Sequence, residues 1–178
     1  MSPSSAAPAA RTGRGRTGQT AAQRRRLAPG TRRLLLVVHI ISSVALLGAS
    51  ASILLLAVTG ASSNDAELEE AAYRIASTSG LVLGIPLSFT ALFSGIALAV
   101  FAKWGLLRYP WVTIKLGLLI ATILSGALVI GPNADRLMDD PTGSAALLTA
   151  GAVFNVAALA TSTALSIYRP GKQRRAKA

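Results

Sequence analysis

An all-α fold, a four-helix transmembrane bundle with a disordered basic tail at its amino terminus, is predicted by three observations. The 178-residue chain is 52% apolar and only 14% charged, whereas a soluble domain would be about a quarter charged; its mean hydropathy is +0.53. The apolar residues gather in four runs, at about 34–59, 77–102, 111–130 and 145–167, and a helix needs about 20 residues to cross a hydrocarbon core about 30 Å thick. Charge, finally, is sorted by connection. The polar remainder is a tail and short loops, none able to bury a core of its own, which excludes a separate soluble catalytic domain. With no cysteine in the chain, disulfides, thiolate metal sites, iron–sulfur clusters and cysteine nucleophiles are excluded as well.

Residues 1–32 read as an Arg-rich cytoplasmic tail of Ala, Pro, Ser, Gly, Thr and Arg without a single acid. So little apolar surface cannot offset the entropy of ordering, so the segment is expected to be disordered. The transmembrane domain follows over 33–168. Thr31-Arg32-Arg33 gives way abruptly to Leu34-Leu35-Leu36-Val37-Val38-His39, and the first run exceeds the roughly 7–15 apolar residues of a signal peptide. A twin-arginine export signal is the competing reading of Arg32-Arg33, and arginines anchoring a helix end is the better one. A helical lead-in at Leu68-Glu69-Glu70-Ala71-Ala72-Tyr73-Arg74 precedes the second run, within which Pro86 is expected to kink the helix. Pro110 opens the third, where a proline loses no hydrogen bond, and Gly131-Pro132-Asn133 is expected to end it. The fourth stops at Arg169-Pro170-Gly171, leaving 169–178 as a second basic cytoplasmic tail.

All seven acids lie in two connections: Asp65, Glu67, Glu69 and Glu70 between runs one and two, and Asp135, Asp139 and Asp140 between runs three and four. Only Arg74 and Arg136 accompany them. The other sixteen basic residues fall in the two tails, in the middle loop (Lys103, Arg108) and at Lys115. By the positive-inside rule both termini are expected in the cytoplasm of a bacterial cell, in a multi-pass plasma-membrane protein. The basic excess is therefore a record of orientation, reinforced by attraction of the tails to anionic lipids at about 1 kcal/mol per residue near the surface. Without aromatics or a folded module in the tail, nucleic acid is not an expected partner. Trp104, Tyr109, Trp111 and Tyr168 form an aromatic belt on the same side.

Few side chains within the runs could carry chemistry. His39, the sole histidine, is six residues into run one. A haem on His39 would need a second histidine from another copy of the chain, or a Met or water as the other axial ligand; a neutral histidine bonded to a neighbouring helix is the plainer reading, and no cofactor is expected. Lys115, five residues into run three, is an intramembrane charge, by default a functional candidate, yet its stem can reach the interface. Asn155, Ser162 and Ser166 form one stripe on run four, and His39, Ser43 and Ser50 one on run one; facing inward, they would satisfy each other. Gly80/Gly84, Gly48/Ser52 and Ala91/Gly95/Ala99 read as close-packing spacings. Asp135, Asp139 and Asp140 could ligate a divalent cation, but the charge asymmetry already accounts for them, and no metal site is expected. No nucleotide-binding, zinc-protease or nucleophile-elbow motif occurs.

Trp104-Gly105-Leu106-Leu107-Arg108-Tyr109-Pro110-Trp111-Val112-Thr113-Ile114-Lys115 resembles a W-G-L-x-R-x-x-W-V-x-x-K stretch in a family of small bacterial integral membrane proteins known only as a domain of unknown function. Val38-His39-Ile40-Ile41-Ser42-Ser43-Val44 with Leu47-Gly48-Ala49 resembles that family's first span, and Ile85-Pro86-Leu87 its second. Ala45-Leu46 stands where the family often has Gly-Trp. The resemblance covers roughly 31–130. It implies a multispan architecture, directs attention to His39, Arg108, Trp111 and Lys115, and supplies no activity. The expectation is a non-enzymatic accessory or self-associating membrane component. A small carrier or channel subunit, or a haem-binding redox protein using His39, are the alternatives.

Overall fold

The computed structural model describes residues 28–101, 110–140 and 145–168. They form four long helices, α1 (Pro29–Ser62), α2 (Ala66–Phe101), α3 (Pro110–Asp139) and α4 (Ala146–Tyr168), each long and apolar enough to span a membrane. No strand occurs among the described residues. Successive helices run antiparallel, so the beginning of α1 and the end of α4 share one end of the bundle. The α1–α2 and α3–α4 connections share the other, called the loop end below.

Local chemistry sets the helix ends. Pro29 occupies the first turn of α1, where its missing N–H is one that would be unpaired anyway. Arg32 and Arg33 are thus already helical, and the part of the expected tail that lies in 29–32 is helix instead; residues 1–27 and 169–178 fall outside the described residues. At the other end, extended Ser63 returns its N–H to Gly60 O at 3.2 Å. Asp65 then caps α2, its Oδ1 accepting from Glu67 N–H at 3.0 Å. Glu67 and Glu69 in the first turn complement the positive end of the helix dipole.

Both middle helices contain a π-turn, over Gly80–Gly84 in α2 and Gly126–Ile130 in α3. Each is closed by an i→i+5 bond, Ile85 N–H to Gly80 O and Gly131 N–H to Gly126 O. Each ends directly ahead of an X-Pro pair, Ile85-Pro86 and Gly131-Pro132. A proline ring collides with the carbonyl four residues back and offers no N–H. A turn widened by one residue moves that carbonyl aside and lets the helix continue. Gly131-Pro132-Asn133 therefore does not stop α3, which runs on to Asp139. Asn133 helps by donating its Nδ2 to Val129 O at 2.7 Å.

In the bundle α1 packs against α2 and α4, while α3 packs against α4 and, near the loop end, against α2. The apolar core is concentrated at the loop end, where Ile53, Ala57, Tyr73, Ala76, Ile130, Ala134, Leu137, Leu148 and Ala152 form one cluster. Of the buried polar residues, Ser42, Ser88, Ser94 and Thr122 lie nearer the terminal end, and Asn155 lies near the middle. Large apolar side chains such as Leu55, Phe93, Leu128 and Ile167 point outward, as expected where lipid is the solvent.

Candidate intramembrane polar site

α1 carries His39 on the face turned to α2. Its Nδ1 lies 3.1 Å from both Ala91 O and Ser94 Oγ. A carbonyl only accepts, so Nδ1 holds the ring proton. Ser94 in turn gives its own proton to Thr90 O at 2.6 Å, which leaves its oxygen free to accept from the histidine. Donation from Nδ1 thereby fixes the orientation of the ring and leaves Nε2 outside these bonds. Gly95 makes room for it: a β-carbon there would come within 3.0 Å of His39 Cε1. Ser42, one turn on, donates to His39 O at 3.1 Å.

Lys115 does the equivalent for the other helix pair. Its Nζ donates to Ser166 Oγ at 2.6 Å, joining α3 to α4, and Ser166 donates to Ser162 O at 3.1 Å. The ammonium is within electrostatic reach of His39, but their hydrogen bonds go to different helix pairs. Trp111, half-buried one turn before Lys115, is engaged in an interaction of its own. Arg108 lies outside the described residues.

Asn155, in the middle of α4, is 6% exposed and its Oδ1 has no hydrogen-bond donor. The contact of Gly151 with Val129 and Ile130 and the Lys115–Ser166 bond bracket it, placing it opposite the start of the α3 π-turn. Of the stripe expected on run four, then, Asn155 is buried, Ser166 binds Lys115, and Ser162 contributes its carbonyl. On run one, His39 makes its cross-helix bond, whereas Ser50 is buried near the core.

Four relationships were not read from the sequence. Ser94 as the partner of His39 was hidden among the small residues Ala91, Gly95 and Ala99, taken only as a packing stripe. Ser77 Oγ donates to Asp135 Oδ1 at 2.7 Å, tying α2 to α3, so that the loop acid Asp135 has a structural partner. Gly60 lies against the ring of Tyr73. Glu70 forms an ion pair with Arg74, one turn along α2. Among the described residues no group of three or more His, Asp or Glu is placed to hold a metal ion.

The model of one protein family, described as "Predicted integral membrane protein (DUF2269)", matches residues 33–147. The match takes in α1, α2, α3 and the beginning of α4, hence His39, Arg108, Trp111 and Lys115, and stops short of Asn155. No curated protein and no solved structure matches the chain.

Proposed function

The chain belongs to the DUF2269 family of predicted integral membrane proteins, and on that premise we propose that it is a non-enzymatic membrane component that self-associates or serves a membrane-protein partner. One observation carries this reading. The two ionisable side chains deepest in the terminal half, His39 and Lys115, are each committed to a bond between helices, His39 joining α1 to α2 and Lys115 joining α3 to α4. Groups used in this way fasten a bundle; a reactive or transporting group would be held toward a substrate path. Interhelical polar bonds are an ordinary means of association in lipid, where apolar contact supplies little drive.

The distribution of charge supports an orientation with both termini in the cytoplasm of a bacterial cell and with anionic lipid against the basic tails. Purification from the native membrane in mild detergent tests the proposal. A stoichiometric co-purifying protein or a defined homo-oligomer, without colour, is the expected result. A Soret band would move the assignment to a haem on His39 Nε2, and ion flux in liposomes would move it to a carrier or channel subunit.

A further inference from the structure

A groove of about 550 Å³ opens at the loop end, between the end of α1 and the starts of α2 and α4. That volume is within the range of small-ligand sites. Its walls are apolar and narrow-chained, with Ala61, Ala146 and Ala150 among them, and its polar groups are Glu69, Tyr73 and Thr149. Tyr73 is 1% exposed. Its ring is packed against Gly60, where a β-carbon would lie 2.6 Å from Cε1. The ring is thus spent on packing, with almost no surface left to the groove. Glu69 stands one turn earlier on the same face of α2 and acts on the Tyr73 phenol.

Among the described residues the carboxylate of Glu69 has no cation beside it. Glu70 takes Arg74, and among the described residues Glu69 has no ion-pair partner. The connection beyond α3, Pro141-Thr142-Gly143-Ser144, contains no basic residue. The groove therefore offers the Glu69 carboxylate and the Thr149 hydroxyl over an alanine floor. We propose that it binds a primary alkylammonium group, with Glu69 as counter-ion, Thr149 as a further acceptor, and the alkyl portion on the alanines. A primary ammonium has three N–H donors to match these oxygens; a quaternary one has none, and the buried ring faces deny it a cation–π contact. Two sources present this group, a free amine and the headgroup of an ethanolamine phospholipid.

The full chain in phosphatidylcholine nanodiscs, whose headgroups are quaternary, separates them. Ethanolamine is titrated while the thermal midpoint is followed, with choline as the comparison. The expected result is a saturable rise with an apparent Kd at least tenfold lower for ethanolamine than for choline, lost in Glu69→Gln and kept in Glu70→Gln. A lipid source gives the same Glu69-dependent rise only when phosphatidylethanolamine replaces part of the bilayer. Glutamine keeps an oxygen for Tyr73, so the fold should survive the test. No rise from either source, or an equal response to ethanolamine and choline in the unmodified chain, overturns the proposal. So does a Glu69→Gln variant that responds like the unmodified chain.

Discussion

Gly60 on α1 faces Tyr73 on α2 so closely that a β-carbon on the glycine would lie 2.6 Å from Tyr73 Cε1 and 2.8 Å from Cζ. The ring is 1% exposed and belongs to the apolar cluster of the loop end, so moving it off Gly60 disturbs that packing. Gly60→Ala should therefore destabilise the purified protein by about 1–3 kcal/mol, the usual cost of overpacking, seen as a lower thermal midpoint. Tyr73→Leu in the same chain should restore part of the loss. A Gly60→Ala protein with an unchanged midpoint would show that α1 and α2 do not meet this closely.

Asn155 presents the opposite case. Its Oδ1 is buried without a donor, a state that costs about 1–3 kcal/mol, whereas an apolar group of similar shape avoids the penalty. Asn155→Leu is expected to leave the thermal midpoint unchanged or to raise it. A fall of several degrees would mean that the carboxamide holds a partner in the membrane.

Lys115 and Ser166 should be energetically coupled. Lys115→Met and Ser166→Ala are each expected to lower stability, and the double variant to lose less than their sum. The coupling should be about 0.6 kcal/mol and at most about 1.7, the range of polar pairs between membrane helices. Strict additivity would assign Lys115 to the interface alone.

Orientation is open to direct assay. Reporter fusions near Asn64 and at the carboxyl terminus should fall on opposite sides of the membrane, the terminus being cytoplasmic. A periplasm-active reporter working at the carboxyl terminus would reverse the assignment.

The number of helices was legible because lipid imposes a simple rule, roughly twenty apolar residues bounded by polar ones. The family resemblance was legible over Trp104–Lys115 for a different reason, namely an unusual density of Trp, Gly, Arg and Lys. Two readings missed. Gly131-Pro132-Asn133 carries ordinary stop signals, yet α3 passes through them, because a π-turn can absorb a proline, and only a glycine and the proline six residues later mark that turn. The pairing of His39 with Ser94 was hidden for a related reason. Ser94 is one of several small residues on α2, and only the helix register decides which of them meets the imidazole. Lys115 with Ser166 shows the intermediate case: each residue stood out, one as an intramembrane charge and one as part of a polar stripe, but their contact required the fold.

The reading of this protein as a fastened bundle rests most directly on the His39 bond to Ala91 and Ser94. Comparing the thermal midpoints of His39→Gln and His39→Leu tests it. Glutamine retains an N–H donor for Ala91 O and cannot serve as a haem ligand; leucine retains only bulk. The account predicts that His39→Gln stays near the unmodified midpoint while His39→Leu falls by roughly 2–4 °C, the equivalent of about 1 kcal/mol in a domain of this size. Equal midpoints for the unmodified chain and both variants would contradict it, as would a glutamine variant no more stable than the leucine one.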